Sequence, residues 1–248
     1  MLSGIIWGAG ILLEVLVLAR GFQKRLIGRY PFFYAYSVAV LAMALLLISP
    51  RLYDRMYWAM QFVTLMIGYG ILLEILNHVL APYPGAEKFA KTLGLIAVAI
   101  IFCFALIFPH IMPHWSPGTS IEFERDLRTV QAIFISGLLA VVSYYGIVIG
   151  KNMKGMIVGY GLYIVTSLMS LAVRAYAGQS FNAVWRVVQP LSFDISLVVW
   201  AVALWSYCPN PVPNPTITLE ADYEAFVLKT RRALGSVRGH LAKGARQP

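Results

Sequence analysis

Three ionisable side chains lie in segments of the sequence that are otherwise apolar: Glu14, Glu74 and His78. Glu74 and His78 are four positions apart, so on a helix they share one face and can hydrogen-bond or exchange a proton. An ionisable side chain at the centre of a membrane costs about 3 kcal/mol on insertion scales and needs compensation. The three residues therefore predict a proton relay or, alternatively, a structural clamp between helices.

A second polar group combines arginines with amide and carboxylate side chains. Converging guanidinium groups bind carboxylates and phosphates in bidentate fashion, which favours a small anionic ligand. Asp194 needs a cationic partner inside the membrane, and Arg128 or Arg174 is expected to supply it. The alternative is that the arginines reach the lipid headgroups while Asp194 forms a lone structural pair. The candidate ligand-binding residues are Arg128, Gln131, Arg174, Arg186, Gln189 and Asp194.

Several chemistries are excluded or disfavoured by the same residues. No lysine lies in an apolar segment, which excludes a retinal Schiff base, and only His78 approaches the membrane core, which disfavours a haem held by two histidines. His110 and His114 lie near Glu122 and Glu124, but a proline interrupts the helix between the histidines, so a solvated loop is preferred to a metal site. No nucleotide-binding or hydrolase motif lies where its chemistry would work. We therefore expect no enzymatic activity, no cofactor and no bound metal.

Apolar segments of helical length must position these residues. The chain is 59% hydrophobic and 12% charged, against roughly 45–50% and about 25% in soluble domains, which excludes a soluble globular protein. A helix that crosses the hydrocarbon needs about 20 mostly apolar residues. The sequence predicts an all-α, polytopic membrane protein with seven transmembrane helices, over residues 2–19, 31–48, 57–80, 92–108, 129–149, 155–173 and 187–207.

The distribution of basic residues predicts the orientation of this bundle, because basic flanks mark the cytoplasmic side. With the N-terminus outside, every lysine falls on one side of the membrane, whereas the other side carries only arginines. We therefore predict a cytoplasmic C-terminus, with Glu14, Glu74 and His78 in the cytoplasmic half and Asp194 in the outer half. Basic loops also account for the formal charge of +9, so a nucleic-acid partner is not expected.

An internal repeat is suggested when the chain is shifted by 127 residues, because the first three predicted helices then align with the last three. Trp58 meets Trp185 and Pro82 meets Pro209 in this alignment. It predicts a 3+1+3 arrangement of two parallel triplets with the fourth helix as a linker. The alternative is that helical hairpins share loop glycines and terminal prolines by chance.

Three glycine pairs with four-residue spacing allow close helix packing, although the spacing is common enough to predict nothing more. Small residues at this spacing allow two helix backbones to approach. The pairs are Gly4 and Gly8, Gly146 and Gly150, and Gly155 and Gly159.

The chain after the bundle (1–208) divides into a Pro-rich spacer (209–218) and an amphipathic helix (219–243). Thr218 can cap this helix, acidic residues occupy its first turns, and basic residues follow. Its apolar stripe indicates that it lies on the inner leaflet or docks on a cytoplasmic partner, with the lipid surface preferred.

Three short motifs give the chain a family resemblance. They are Arg29-Tyr30-Pro31-Phe32, Glu74-x3-His78-x3-Pro82-Tyr83-Pro84 and Glu124-x3-Arg128-x2-Gln131. With these motifs the chain resembles a family of small bacterial seven-helix membrane proteins without assigned function. The resemblance extends over most of the chain and implies a multi-pass protein of the bacterial inner membrane, but no particular chemistry.

Two classes of function fit these residues. The first is a non-catalytic module that binds a small anion in an outward-facing arginine and aspartate pocket, or relays a signal. The second is a small-solute or proton-coupled transporter built from the 3+1+3 repeat. A transporter needs polar groups through the centre of the membrane, where the second, fourth and sixth helices offer little beyond serine and threonine. The module is therefore preferred.

Overall fold

The computed structural model describes residues 2–46, 49–111, 117–177, 181–212 and 218–244. Within these ranges the chain forms α-helices and no strand. The helices are α1 (Leu2–Gln23), α2 (Pro31–Leu46), α3 (Pro50–Leu80), α4 (Pro84–Ile111), α5 (Pro117–Tyr145), α6 (Lys151–Ala177), α7 (Asn182–Ala203) and α8 (Leu219–Gly244). The predicted all-α class is confirmed, and each predicted span overlaps one of the first seven helices.

Several helices are suited to a membrane. Among the described residues, five stretches are long and apolar enough to cross one: Gly4–Gln23, Ala59–Leu80, Glu122–Tyr145, Lys151–Arg174 and Val184–Ala203. Helix α2 is apolar but has only 16 residues. Large apolar side chains such as Leu12, Ile133 and Met169 are mostly exposed on the outer surface of the bundle. So many exposed apolar side chains indicate contact with lipid, and the chain is a membrane-embedded, multi-pass protein.

Proline begins four of the helices, at Pro31, Pro50, Pro84 and Pro117. Proline has no N–H and a fixed φ, so it fits the first turn, where N–H groups lack intrahelical partners. The last three of these helices begin several residues before the predicted apolar spans. Their first turns are polar, and hydropathy alone therefore does not detect them.

Two glycines of α6 set its distance from α7. Gly155 faces Ala203, and Gly159 faces the indole of Trp200, so that a Cβ at either glycine would clash. Trp200 is fully buried in the core. This glycine pair therefore confirms the predicted close packing at that position.

The connection between α5 and α6 corrects two expectations. The fifth helix ends at Tyr145 instead of continuing to residue 149, because Gly146 adopts a φ of 63°. Glycine occupies this left-handed region at little cost and commonly ends helices. Gly146 and Gly150 therefore lie in a connection rather than on a helix-packing face.

The arrangement of neighbours decides which polar residues can meet. Helix α7 lies against α1 and α6, while α3 lies against α2, α4 and α5. Helix α8 packs against α4. The first and seventh helices are therefore in contact, although they are far apart in sequence.

Candidate functional site

Glu74 binds the beginning of α2. Its carboxylate accepts hydrogen bonds from the backbone N–H groups of Phe32, at 3.2 Å, and Phe33, at 3.0 Å. His78 does not bond this carboxylate; its Nδ1 lies 2.8 Å from the backbone oxygen of Glu74. A carboxylate at a helix N-terminus satisfies free N–H groups and faces the positive end of the helix dipole. The geometry is that of the structural clamp between helices, and the expected Glu74–His78 side-chain contact is not formed.

Glu220 of α8 binds the beginning of α4 in the same way. Its two carboxylate oxygens accept hydrogen bonds from the N–H groups of Gly85, at 2.7 Å, and Ala86, at 3.3 Å. In α2 and in α4 the helix begins with proline, and the next two N–H groups bind a glutamate from another helix. Thr218, the expected cap of α8, donates its hydroxyl to the Asp222 carboxylate at 3.1 Å.

Two asparagines connect the remaining helix ends on this side. Asn152 donates to the backbone oxygens of Ala203, at 2.8 Å, and Ser206, at 2.9 Å. Asn210, in the spacer after α7, donates to the backbone oxygen of His78 at 2.9 Å and accepts from the N–H of Gly150 at 3.2 Å. The guanidinium of Arg29 lies 3.6 Å from the Tyr207 ring centroid. Together these contacts hold the connections at residues 24–30, 81–83, 146–150 and 204–212 at one end of the bundle, and we call them the tail-side connections.

Tyr30 contributes a neutral phenol to the tail-side connections. Its ring centroid lies 5.2 Å from that of His78. Burial raises the pKa of Tyr30 to about 12, so the hydroxyl stays protonated at physiological pH. Tyr30 therefore contributes packing and a neutral hydroxyl to this end of the bundle, and no charge.

Away from that end, a cavity of about 80 Å³ lies between α2, α3, α5, α6 and α7. We call it the tyrosine–arginine cavity. Its polar lining consists of Tyr36, Gln61, Thr64, Arg128, Gln131, Tyr160 and Tyr163. Of these, only Arg128 and Gln131 were expected from the sequence. The tyrosines were not, because a tyrosine in an apolar helix has no distinguishing spacing.

The charge of Arg128 is balanced inside its own helix. Its Nε donates to Glu124 Oε1 at 2.9 Å, and its Nη2 donates to the Tyr163 hydroxyl at 3.2 Å. Gln61 donates to the same Glu124 oxygen at 2.7 Å. The expected Arg128–Asp194 pair is therefore wrong, since Glu124 already occupies the position of the anion. The spacing of four residues between Glu124 and Arg128 was the signal that could have identified it.

Gln131 presents an unsatisfied acceptor at this cavity. It is 1% exposed, and its Nε2 donates to the backbone oxygen of Leu65 at 3.2 Å. Its Oε1 has no hydrogen-bond partner among the described residues. A buried acceptor without a donor is costly, so a bound molecule that donates a hydrogen bond would be stabilised here.

A second cavity, of about 100 Å³, lies between α1, α2 and α7. We call it the carboxylate cavity because Glu14 and Asp194 both line it. From the sequence, these two residues are expected in opposite halves of the membrane. In the structure each is the thirteenth residue of a 22-residue helix, the two helices are neighbours, and both residues line the same cavity.

The other expected ligand-binding residues do not join either cavity. The guanidinium of Arg174 lies 5.8 Å from the Trp185 ring centroid, and Gln189 donates to the Ser167 hydroxyl at 3.3 Å. Arg186 is exposed. The six residues predicted to form one anion pocket therefore do not form a single site. Residues at a similar depth in the membrane can lie on helix faces that point away from each other.

No group of three or more His, Cys, Asp or Glu side chains that could hold a metal ion occurs in the described part of the chain. His114, residues 213–217 of the spacer, and the side chains of His110 and Trp58 lie outside the described residues. No family model, curated protein or solved structure matches this chain. The resemblance to the bacterial seven-helix family therefore stays a prediction.

Proposed function

We propose that this protein is a non-catalytic binding module that takes a small polar solute without net charge into the tyrosine–arginine cavity. The observation that carries the proposal is Gln131, which lines the cavity and whose buried Oε1 lacks a donor. Glu124 neutralises Arg128, so the cavity has hydrogen-bonding groups but no uncompensated positive charge. This charge balance favours a neutral or zwitterionic solute over the free anion expected from the sequence.

Acetamide and acetate provide a matched test, because they have nearly the same shape and differ in charge. We expect acetamide to raise the unfolding temperature of the purified protein, and acetate to raise it much less. Gln131→Met keeps the side-chain length but removes both polar atoms, so it should abolish the acetamide shift. Gln189→Met, an equal change outside the cavity, should retain it.

Two results would reject the neutral-solute site. One is stabilisation by acetate that equals or exceeds that by acetamide. The other is an acetamide shift that survives Gln131→Met, since it would then arise from a general solvent effect.

We further propose that all of α1 to α7 span the membrane, with the N-terminus outside and the C-terminus in the cytoplasm of a bacterial cell. The lysines support this orientation, because they lie at the tail-side connections, in the first turns of α4 and α6 that follow them, and in α8. In α8, Leu228 and Leu234 are exposed beside Lys229, Arg231 and Arg232, which suits an anionic lipid surface. A reporter fused after Pro248 that is active only outside the cytoplasm would refute the orientation if it were active.

A proton-coupled transporter built from the 3+1+3 repeat is the second candidate. It is favoured by one observation, that Val40 and Phe193 line both cavities and so separate a solute site from a pair of carboxyl groups. The neighbour relations α1–α2 and α2–α3 also recur as α5–α6 and α6–α7. One observation argues against the 127-residue shift. Helix α6 begins at Lys151, whereas the shift would align the start of α2, at Pro31, with a later residue of α6. Acetamide uptake into proteoliposomes driven by a pH gradient would favour this candidate over a static module.

A further inference from the structure

The carboxylate cavity contains two acids in an apolar setting. Glu14 is 2% exposed, and neither of its carboxyl oxygens has a hydrogen-bond partner among the described residues. Asp194 is only partly buried, and its Oδ1 would lie 2.7 Å from a Cβ placed on Gly10, one helical turn before Glu14. The two residues line the same cavity, between α1, α2 and α7.

The groups that face this pair come from three helices. Helix α1 contributes Glu14, α7 contributes Asp194, and α2 contributes the Ser37 hydroxyl beside Glu14. Val40, Leu41 and Ala44 form the rest of the α2 wall. No cationic side chain among the described residues lines the cavity.

Two carboxylates cannot both remain ionised side by side without a cation. We propose that Glu14 and Asp194 form a proton-binding pair, in which Glu14 holds the proton and Asp194 exchanges it with solvent. The division of roles follows from burial, because Asp194 is the more accessible of the two and Glu14 is enclosed. In an exchange, the Asp194 carboxylate accepts the Glu14 proton and releases it to water as hydronium. Asp194 then takes a proton from hydronium and returns it to the Glu14 carboxylate. This inference goes beyond the solute site and does not depend on it.

Infrared spectroscopy of the protein in lipid vesicles tests the pair directly. A protonated carboxyl gives a C=O stretching band that shifts in D₂O. We expect such a band in the wild type at neutral pH, its disappearance at alkaline pH, and its absence in Glu14→Gln. Asp194→Asn should keep the band but slow its shift after transfer to D₂O by roughly a hundredfold, the scale of a lost acid–base group.

Two further variants make the outcome interpretable. Asp126→Asn removes a carboxylate whose side chain is 70% exposed, and it should leave both the band and its exchange unchanged. Glu14→Asp retains a carboxyl and should move the band rather than abolish it, which covers the case in which Glu14→Gln fails to fold.

Three results would overturn the proposal. The first is a band that persists in folded Glu14→Gln, and the second is exchange in Asp194→Asn at the wild-type rate. The third is loss of the band on adding sodium chloride at constant pH, which would identify a sodium site instead of a proton site.

Discussion

The carboxylates of Glu74 and Glu220 accept hydrogen bonds from the backbone of a helix other than their own. Each receives two N–H groups directly after a helix-initial proline. Proline leaves the first turn with one N–H fewer, and the remaining two can be bound by a single carboxylate. These residues are therefore positioning groups for α2 and α4.

We expect Glu74→Gln to lower the free energy of unfolding by about 1–2 kcal/mol, because the amide has one acceptor oxygen and no charge to face the dipole of α2. Chemical or thermal denaturation in detergent measures the loss. Glu122→Gln, which changes an exposed residue at the start of α5, should cost much less. Equal losses in the two variants would contradict the role of Glu74.

The sequence identified Glu14, Glu74, Arg128, Gln131 and Asp194 as unusual, because polar groups in apolar helices are visible without a structure. It assigned several of their partners wrongly. Spacing along one helix is readable, as for Glu124 and Arg128, whereas contacts between helices depend on which faces meet. No sequence pattern indicated that Glu14 on α1 and Asp194 on α7 line the same cavity.

Among the described residues of helix α8, those of the first turns attach it to the bundle. Leu219 is buried, Glu220 binds the start of α4, and the rings of Tyr223 and Phe226 lie 5.9 Å and 6.5 Å from that of Phe89. Beyond these residues the described side chains of α8 are mostly exposed. The attachment of α8 therefore depends strongly on one carboxylate.

Glu220→Ala should release α8 and increase the rate of tryptic cleavage at Lys229 and Arg231 by roughly tenfold, as the loss of charge-assisted bonds worth about 1.5 kcal/mol or more allows the helix to detach. Limited proteolysis followed by mass spectrometry measures the rate. Glu224→Ala changes an exposed acid one turn later and serves as the control. Equal cleavage rates in wild type and Glu220→Ala would refute the attachment.

The contact of α6 with α7 permits a reciprocal test. Gly155→Ala should cost about 1–3 kcal/mol, because its new Cβ meets that of Ala203. Ala203→Gly in the same chain should recover part of that cost, and unfolding of the single and double variants measures the coupling. Gly8→Ala, where no atom lies within 4 Å of the new Cβ, should not destabilise the protein. Purely additive effects would show that the two residues do not clash.

Helices were the most predictable level of this structure. Long apolar runs located seven of them, and acidic residues followed by an apolar stripe located α8, which was expected over 219–243 and is found over Leu219–Gly244. The end of α5 was missed because Gly146 stops the helix within an apolar sequence. A hydropathy pattern does not register a change of backbone dihedral.

At the scale of the whole molecule, the two cysteines report on the orientation. Cys208 is exposed at the tail-side connections, and Cys103 is exposed in the apolar part of α4. A membrane-impermeant maleimide should label Cys208 only after the cells are opened, and should not label Cys103, because we propose that α4 spans the membrane. Arg186→Cys, at the opposite end, should be labelled in intact cells, and labelling of Cys208 in intact cells would contradict the orientation.

Composition was sufficient to predict the membrane class, since 59% hydrophobic residues leave no soluble alternative. The order of helices around the bundle was not predictable in the same way. In lipid, hydrophobicity does not determine which apolar helices become neighbours. Close packing at small residues such as Gly155 and Gly159 favours particular helix pairs.

The contact between α1 and α7 has a consequence for biogenesis. The first helix leaves the ribosome long before its neighbour exists, and at 5–20 residues per second the wait is on the order of 10 s. During that interval Gly10 and Glu14, which later contact α7 and the carboxylate cavity, face lipid or the insertion machinery. In a nascent chain that stops after α6, Gly10 and Glu14 would stay uncovered permanently. We expect cellular quality control to recognise the exposed acid of this incomplete bundle and to degrade the chain.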